Sequence, residues 1–169
     1  VAALLRFTGV SWGPFTSAHL TAILAAGVLV GFAEETLFRG IILRALRNGT
    51  RHEGAVVLYS SLWFGFFHLT NLINGSPVNA VLNQCLQASA FGIALYLARR
   101  ARGLLVAAMV IHALWDMSTF AYGVHATDGS VLPLVSFALS IVANLVAIVA
   151  LIVIWRRRET VATPVRAQD

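Results

Sequence analysis

Five long apolar stretches dominate this chain of 169 residues. An α-helix needs about 20 residues to cross the hydrocarbon core of a bilayer. The stretches that approach or exceed this length are 19–43, 55–73, 78–98, 104–122 and 131–155. Only 11% of the residues are charged, whereas a soluble domain usually carries roughly 25%. The sequence therefore predicts an all-α protein, a polytopic transmembrane bundle of about five spanning helices.

The arginines predict how this bundle is oriented. All twelve basic residues are arginine. Nine of them lie between the first and second spans, between the third and fourth spans, or just after the fifth: Arg44, Arg47, Arg51, Arg99, Arg100, Arg102, Arg156, Arg157 and Arg158. The connectors 72–78 and 123–130 contain none. Because positive residues favour the cytoplasmic side, we expect a multi-pass protein of the cell membrane with a cytoplasmic C-terminus. The net charge of +5 is then a topology signal, so we expect the lipid bilayer as partner and no nucleic acid.

The chain reads as one membrane-embedded domain followed by a short tail. We expect the domain to cover residues 1–158. The tail, residues 159–169, is polar and contains no apolar run, so we expect it to be disordered.

Ionisable side chains inside the predicted spans are the features that most need explaining. A charge at the bilayer centre costs about 2.5–3.5 kcal/mol on insertion scales, and such residues usually face the bundle interior and mark function. Three spans carry six of them: Glu34, Glu35, Arg39, His68, His112 and Asp116. Spacings of four residues predict two pairs on helix faces, Glu35 with Arg39 and His112 with Asp116.

Each of these residues also has a purely structural interpretation. Glu35 and Arg39 could form only an ion pair that locks a helix, and each histidine could be a hydrogen-bonded core residue. Glu34 is harder to explain, because one arginine cannot neutralise two adjacent carboxylates. On the third span Asn79, Asn83 and Gln87 recur every four residues. We favour a water-filled cavity lined by these amides over hydrogen bonding between helices.

The available groups restrict the chemistry. The sequence contains no glycine-rich phosphate loop and no HExxH zinc motif. Carboxylate and imidazole together suit general acid–base catalysis on a water molecule, such as amide hydrolysis within a membrane cavity. Two alternatives remain open at this point. A metal-dependent hydrolase could use His68, His112 and a carboxylate as ligands. A non-catalytic scaffold or proton-coupled transporter is the other, although no repeat or broken helix supports a transporter.

Three motifs on three separate spans resemble those of a known family. The segments EETLFR, FGFFH and HALWD are similar to the EExxxR, FxxxH and HxxxN/D motifs of the CPBP family, which contains the type II CAAX prenyl endopeptidases and the bacteriocin-processing or Abi proteins. The resemblance covers roughly residues 17–155. It implies a glutamate-type intramembrane endopeptidase that needs no metal or other cofactor. It also implies a membrane-associated peptide or protein substrate, cleavage near the cytoplasmic face, and further helices upstream of Val1.

The resemblance also implies roles for the motif residues. Glu34 would be the general base, and His68 would hold the same water. His112 and residue 116 would stabilise the oxyanion, while Glu35, Arg39 and Phe64 of the motifs would support the site.

Residue 116 is asparagine in the best-studied eukaryotic members and Asp116 here. An ionised carboxylate cannot donate a hydrogen bond. Asp116 is therefore either protonated or a partner that orients His112, and the spacing of four residues favours the orienting role.

Overall fold

The computed structural model of the chain describes residues 1–50 and 52–161, and it is built from helices. In chain order these are α1 (Ala2–Thr8), α2 (Ser17–Glu35), α3 (Leu43–Gly49), α4 (Glu53–Phe67), α5 (Val78–Arg102), α6 (Leu105–Val124) and α7 (Leu132–Arg156). A π-helical segment, Thr36–Ile42, joins α2 to α3 without a break, and a 3₁₀ turn, His68–Leu72, extends α4.

The predicted five-span architecture is confirmed. Five helical segments are long and apolar enough to cross a membrane: Ser17–Gly49, Glu53–Leu72, Val78–Arg102, Leu105–Val124 and Leu132–Arg156. The chain is therefore an all-α, multi-pass membrane protein. The first span is longer than predicted, because the helix continues past residue 43 through the π segment and α3 until Gly49.

Helices α2 and α6 make the most extensive interhelical contact, followed by α4 and α5. Two glycines of α2 allow the first pair to approach closely. A Cβ added at Gly31 would lie 2.9 Å from the backbone oxygen of Met109, and one added at Gly27 would collide with Met117. Small residues at such positions let transmembrane backbones pack directly against each other. This close contact fixes the height of α6 beside α2.

The remaining helices complete the bundle around this pair. Helix α7 packs against α5 and α4, and the short α1 packs against α6 and α7. Arg6 of α1 donates a hydrogen bond of 2.6 Å to Thr119, and its guanidinium lies 4.0 Å from the ring centroid of Trp115. Burial lowers the pKa of Arg6, and the nearby Tyr122 opposes that effect.

The end of the bundle that carries the arginine-rich connectors is held by a polar cluster. Glu53 accepts hydrogen bonds from Arg47 and Tyr96. Glu159 forms an ion pair with Arg100 and accepts a backbone hydrogen bond from Glu53. Glu159, the first residue of the predicted tail, thus lies against this cluster, whereas Thr160 pairs with His52 and Val161 packs against the apolar core. The rest of that tail, 162–169, and Arg51 lie outside the described residues.

Candidate active site

Glu35 is the most deeply enclosed member of the candidate site. It follows Gly27 and Gly31 at intervals of four residues, so it lies on the face of α2 that contacts α6. Its side chain has 0% exposure. Its Oε1 atom lies 2.9 Å from His112 Nδ1 and accepts a hydrogen bond of 2.7 Å from Arg39 Nη1. The pair predicted from the spacing of Glu35 and Arg39 therefore forms, and it extends across the helix interface to His112.

Arg39 is enclosed by three different neighbours. Its guanidinium carbon lies 4.2 Å from the ring centroid of Phe64, a favourable cation–π position. Gly92 of α5 provides the space for it, since a Cβ at that position would lie 2.9 Å from Arg39 Nη2. Arg99 donates a hydrogen bond to the backbone oxygen of Arg39. The π-helical segment that carries Arg39 is thereby fixed to α5, and π-helical insertions are frequent at functional sites.

Glu34 faces a different environment from its neighbour. It lines a cavity of about 200 Å³ together with His68, His112 and Asp116. Its Oε2 atom is 3.9 Å from His112 Nε2, too far for a hydrogen bond. Two adjacent glutamates thus have separate positions: Glu35 lies between helices and Glu34 lies at the wall of a polar cavity.

His68 marks the point where α4 tightens into its 3₁₀ turn. Its Nδ1 atom lies 3.0 Å from the carbonyl oxygen of Phe64, so that nitrogen carries the proton and donates. In the neutral ring Nε2 is then an acceptor. The Phe64 ring also makes edge contacts with both imidazoles, at centroid distances of 5.4 Å to His68 and 5.5 Å to His112. Phe64 therefore spaces the two histidines.

Asp116 lies one turn beyond His112 on α6. Its Oδ2 atom is 3.5 Å from His112 Nε2. The sequence favours Asp116 as the residue that orients His112, but the shorter contact of that ring, at Nδ1, is made by Glu35.

The helix lengths explain how Glu34 and His68 reach the same depth. Glu34 lies 15 residues before Gly49, where the first span ends, and His68 lies 15 residues after Glu53, where the second begins. In two antiparallel helices joined by a short connector, equal separations give equal depths, here about 22 Å along each axis. A first helix that ended at residue 43 would have left Glu34 nearer the connector.

A second, larger cavity of about 670 Å³ adjoins the first. The two share His68, His112 and Asp116, and also Gln84 and Phe120. The wall of the larger cavity is mostly apolar and is contributed by α1, α4, α5, α6 and α7. The histidines and Asp116 thus stand between a small polar space and a large apolar one.

The amides of α5 are arranged differently from the predicted stripe. Gln87 lines the larger cavity, whereas Asn79 and Asn83 are exposed and are not among the lining residues of either cavity. Gln84 lines both cavities and was not predicted. Its spacing of three from Gln87 was the available signal, because both then lie beside the small buried residues of α5.

Two further amides were also not anticipated. Asn71 of the 3₁₀ turn lines the smaller cavity, and Asn144 of α7 lines the larger one. Within residues 1–50 and 52–161, no group of three or more His, Cys, Asp or Glu side chains has the arrangement of a metal site.

One comparison with known proteins gives a match. The family described as type II CAAX prenyl endopeptidase Rce1-like matches residues 16–118, which is more than half of the chain and includes all three motifs. No curated protein matches, and neither does any solved structure.

Proposed function

The chain belongs to the Rce1-like family of type II CAAX prenyl endopeptidases, and we propose that it hydrolyses a peptide bond within the membrane by using a water activated by Glu34 and His68. The observation that carries this proposal is the convergence of Glu34, His68, His112 and Asp116 on one cavity from three separate spans. Ionisable groups that meet in this way inside a membrane usually mark function.

The two adjoining cavities suggest how water and substrate meet. The small polar cavity, with Glu34 in its wall, is suited to the nucleophilic water. The large apolar cavity is suited to a membrane-associated peptide or protein. The scissile carbonyl would lie at their junction, beside His68 and His112. We also propose that cleavage occurs near the cytoplasmic face, as the resemblance to the family implies.

The proposed reaction requires one proton to move twice. Glu34 removes a proton from the water, and the hydroxide attacks the carbonyl carbon to form a tetrahedral oxyanion. Glu34 then delivers that proton to the amide nitrogen as the C–N bond breaks, which yields a carboxylic acid and an amine. His68 accepts a hydrogen bond from the water through Nε2, since its Nδ1 proton is directed to Phe64. Such general acid–base steps contribute typically about 10²–10⁴ in rate.

His112 and Asp116 are proposed to stabilise the oxyanion. Glu35 holds His112 through Nδ1, so Nε2 is the nitrogen available for the substrate. When the ring is an imidazolium, both nitrogens donate, and Nε2 can donate to the oxyanion. Because Glu35 already orients His112, we propose that Asp116 acts as a protonated donor beside it.

Substrate profiling tests the proposal. Peptides released from native membranes are compared between wild type and Glu34→Gln, with Glu159→Gln as a matched control at the cytoplasmic surface. We expect cleavage products in wild type and the control, and their loss in Glu34→Gln. Identical profiles for wild type and Glu34→Gln would overturn the assignment of the base.

Independence from metal is also part of the proposal, and it comes from the family rather than from geometry. Activity of the purified enzyme should survive a chelator. Loss of activity with the chelator and recovery with zinc would favour the metal-dependent alternative instead.

A further inference from the structure

Asn144 is an unusual residue for its position. It lies at the midpoint of α7, twelve residues from both Leu132 and Arg156, in the most hydrophobic of the five spans. Only 9% of the residue is exposed. A buried carboxamide at this depth is costly unless its polar atoms find partners.

The one hydrogen bond that the structure gives Asn144 satisfies only part of the hydrogen-bonding capacity of its carboxamide. Asn144 Nδ2 donates to Gln87 Oε1 over 3.4 Å, a long hydrogen bond, and among residues 1–50 and 52–161 neither side chain makes another. A carboxamide has two N–H donors and a carbonyl with two lone pairs. Both residues line the larger cavity, so the unused donors and acceptors border that space.

A second amide pair continues from the first. Asn71 donates a hydrogen bond of 2.8 Å to Gln84. Asn71 lines the smaller cavity, Gln84 lines both, and Gln87 and Asn144 line the larger. We call these four residues the carboxamide track. It passes from the polar cavity, across the junction at His68 and Asp116, to the apolar cavity.

The chemistry of the track restricts its ligand. Its groups are uncharged, and each offers both donors and acceptors. An anion would need a cation, which the track lacks, and a hydrocarbon chain would need no polar partner. A peptide backbone in extended form presents the complementary set, alternating N–H and C=O groups that must be satisfied inside a membrane.

We propose that the carboxamide track binds the backbone of an extended peptide segment of the substrate, with Gln87 and Asn144 holding the peptide group farthest from the scissile bond. This inference rests on the proposed peptidase function. It assigns substrate binding to α7, a helix beyond the residues that match the family. The competing interpretation is that the Gln87–Asn144 pair only joins α5 to α7.

Backbone substitution in a peptide probe tests this proposal without cleavage. The probe is a fluorescent, capped octapeptide of alternating alanine and leucine, together with a series of analogues in which one amide at a time is replaced by an ester. Binding is measured to Glu34→Gln in detergent. We expect at least one ester to weaken binding by about 2- to 12-fold, as the loss of one hydrogen bond predicts.

Variants of the track identify which residues bind the peptide backbone. In Glu34→Gln carrying Asn144→Leu or Gln87→Leu, the loss of affinity caused by that ester should disappear. The control Asn79→Leu removes an exposed carboxamide of α5 outside both cavities and should retain the penalty. Because the amide-to-ester ratio is measured within one protein, a smaller folded fraction does not change it.

The outcomes separate this inference from the proposed function. Equal affinity for amide and ester probes, an unchanged penalty in both leucine variants, or no saturable binding would overturn backbone recognition. If Glu34→Gln shows the expected binding pattern but the wild-type enzyme releases no products from membranes, the peptidase function alone would be overturned.

Discussion

Replacing Glu35 by glutamine is the sharpest test of how the site is organised. Glu35 does not line either cavity, so its substitution leaves the groups that line the cavities in place. It removes the charge that Arg39 and His112 share through a single oxygen atom. We expect a fall in kcat, a nearly unchanged KM and a loss of stability.

The expected sizes follow from these two contacts. A hydrogen bond to a charged group contributes about 1.5–3 kcal/mol, and about 1.36 kcal/mol corresponds to tenfold in rate. Weakening the hold on His112 should therefore lower kcat by about 10- to 150-fold. A change of histidine tautomer would extend the loss toward the roughly 10⁴-fold that neutralising the aspartate of a Ser-His-Asp triad produces. Breaking a buried ion pair from one side should also cost about 3–5 kcal/mol of stability.

The assay uses purified enzyme in detergent and a peptide substrate taken from the profiling experiment. Values of kcat are normalised to folded protein, and stability is measured by thermal unfolding. Arg39→Gln is the matched control, because it breaks the same ion pair but leaves Glu35 beside His112. It should lose comparable stability and less kcat. A kcat for Glu35→Gln within about threefold of wild type, or an equal loss in Arg39→Gln, would refute the view that Glu35 acts through His112.

Three further predictions address packing, Asp116 and orientation. Gly92→Ala should cost about 1–3 kcal/mol through overpacking against Arg39, whereas Gly123→Ala, with open space around it, should unfold like wild type; equal unfolding temperatures for the two would contradict this. Asp116→Asn should keep or raise activity near neutral pH, because an amide always has a donor. A marked fall in activity, measured as a pH–rate profile beside wild type, would instead indicate that Asp116 orients His112. Reporter fusions at the connectors should read as outside or inside in alternation, and an inside signal at the first of the outside positions would reverse the topology. The expected outside positions are Asn74 and Gly129, and the expected inside positions are Gly49 and Arg102.

The fold could be predicted from the sequence because membrane spans depend on length and hydrophobicity alone. A spanning helix satisfies its own backbone, so its existence follows from an apolar run without knowledge of its neighbours. The predicted end of the first span was the least accurate, since Arg44 and Arg47 follow residue 43 and indicate a connector. The helix instead continues to Gly49, and within this extension Arg47 forms an ion pair with Glu53.

The lining of the cavities could not be predicted to the same degree. A period of four residues selected Asn79, Asn83 and Gln87, but Asn79 lies in the first turn of α5 and Asn83 is exposed, so only Gln87 of the three borders a cavity. The amides that border the cavities are Gln84 and Gln87. Asn71 and Asn144 gave no periodic signal, because each is the only cavity-lining amide of its own helical segment.

The separation of the two glutamates was, in contrast, present in the sequence as a packing signal. Gly27, Gly31 and Glu35 are spaced by four residues, and small residues at that spacing mark the face on which two transmembrane helices meet. Glu35 must then enter the helix interface, where only a buried partner can satisfy it. The adjacent Glu34, rotated by about 100°, is directed away from that interface and is free to face the polar cavity. The order of small and acidic residues on one helix thus places one carboxylate in the helix interface and the other at the cavity, which supports the proposed positioning role of Glu35 and the proposed catalytic role of Glu34.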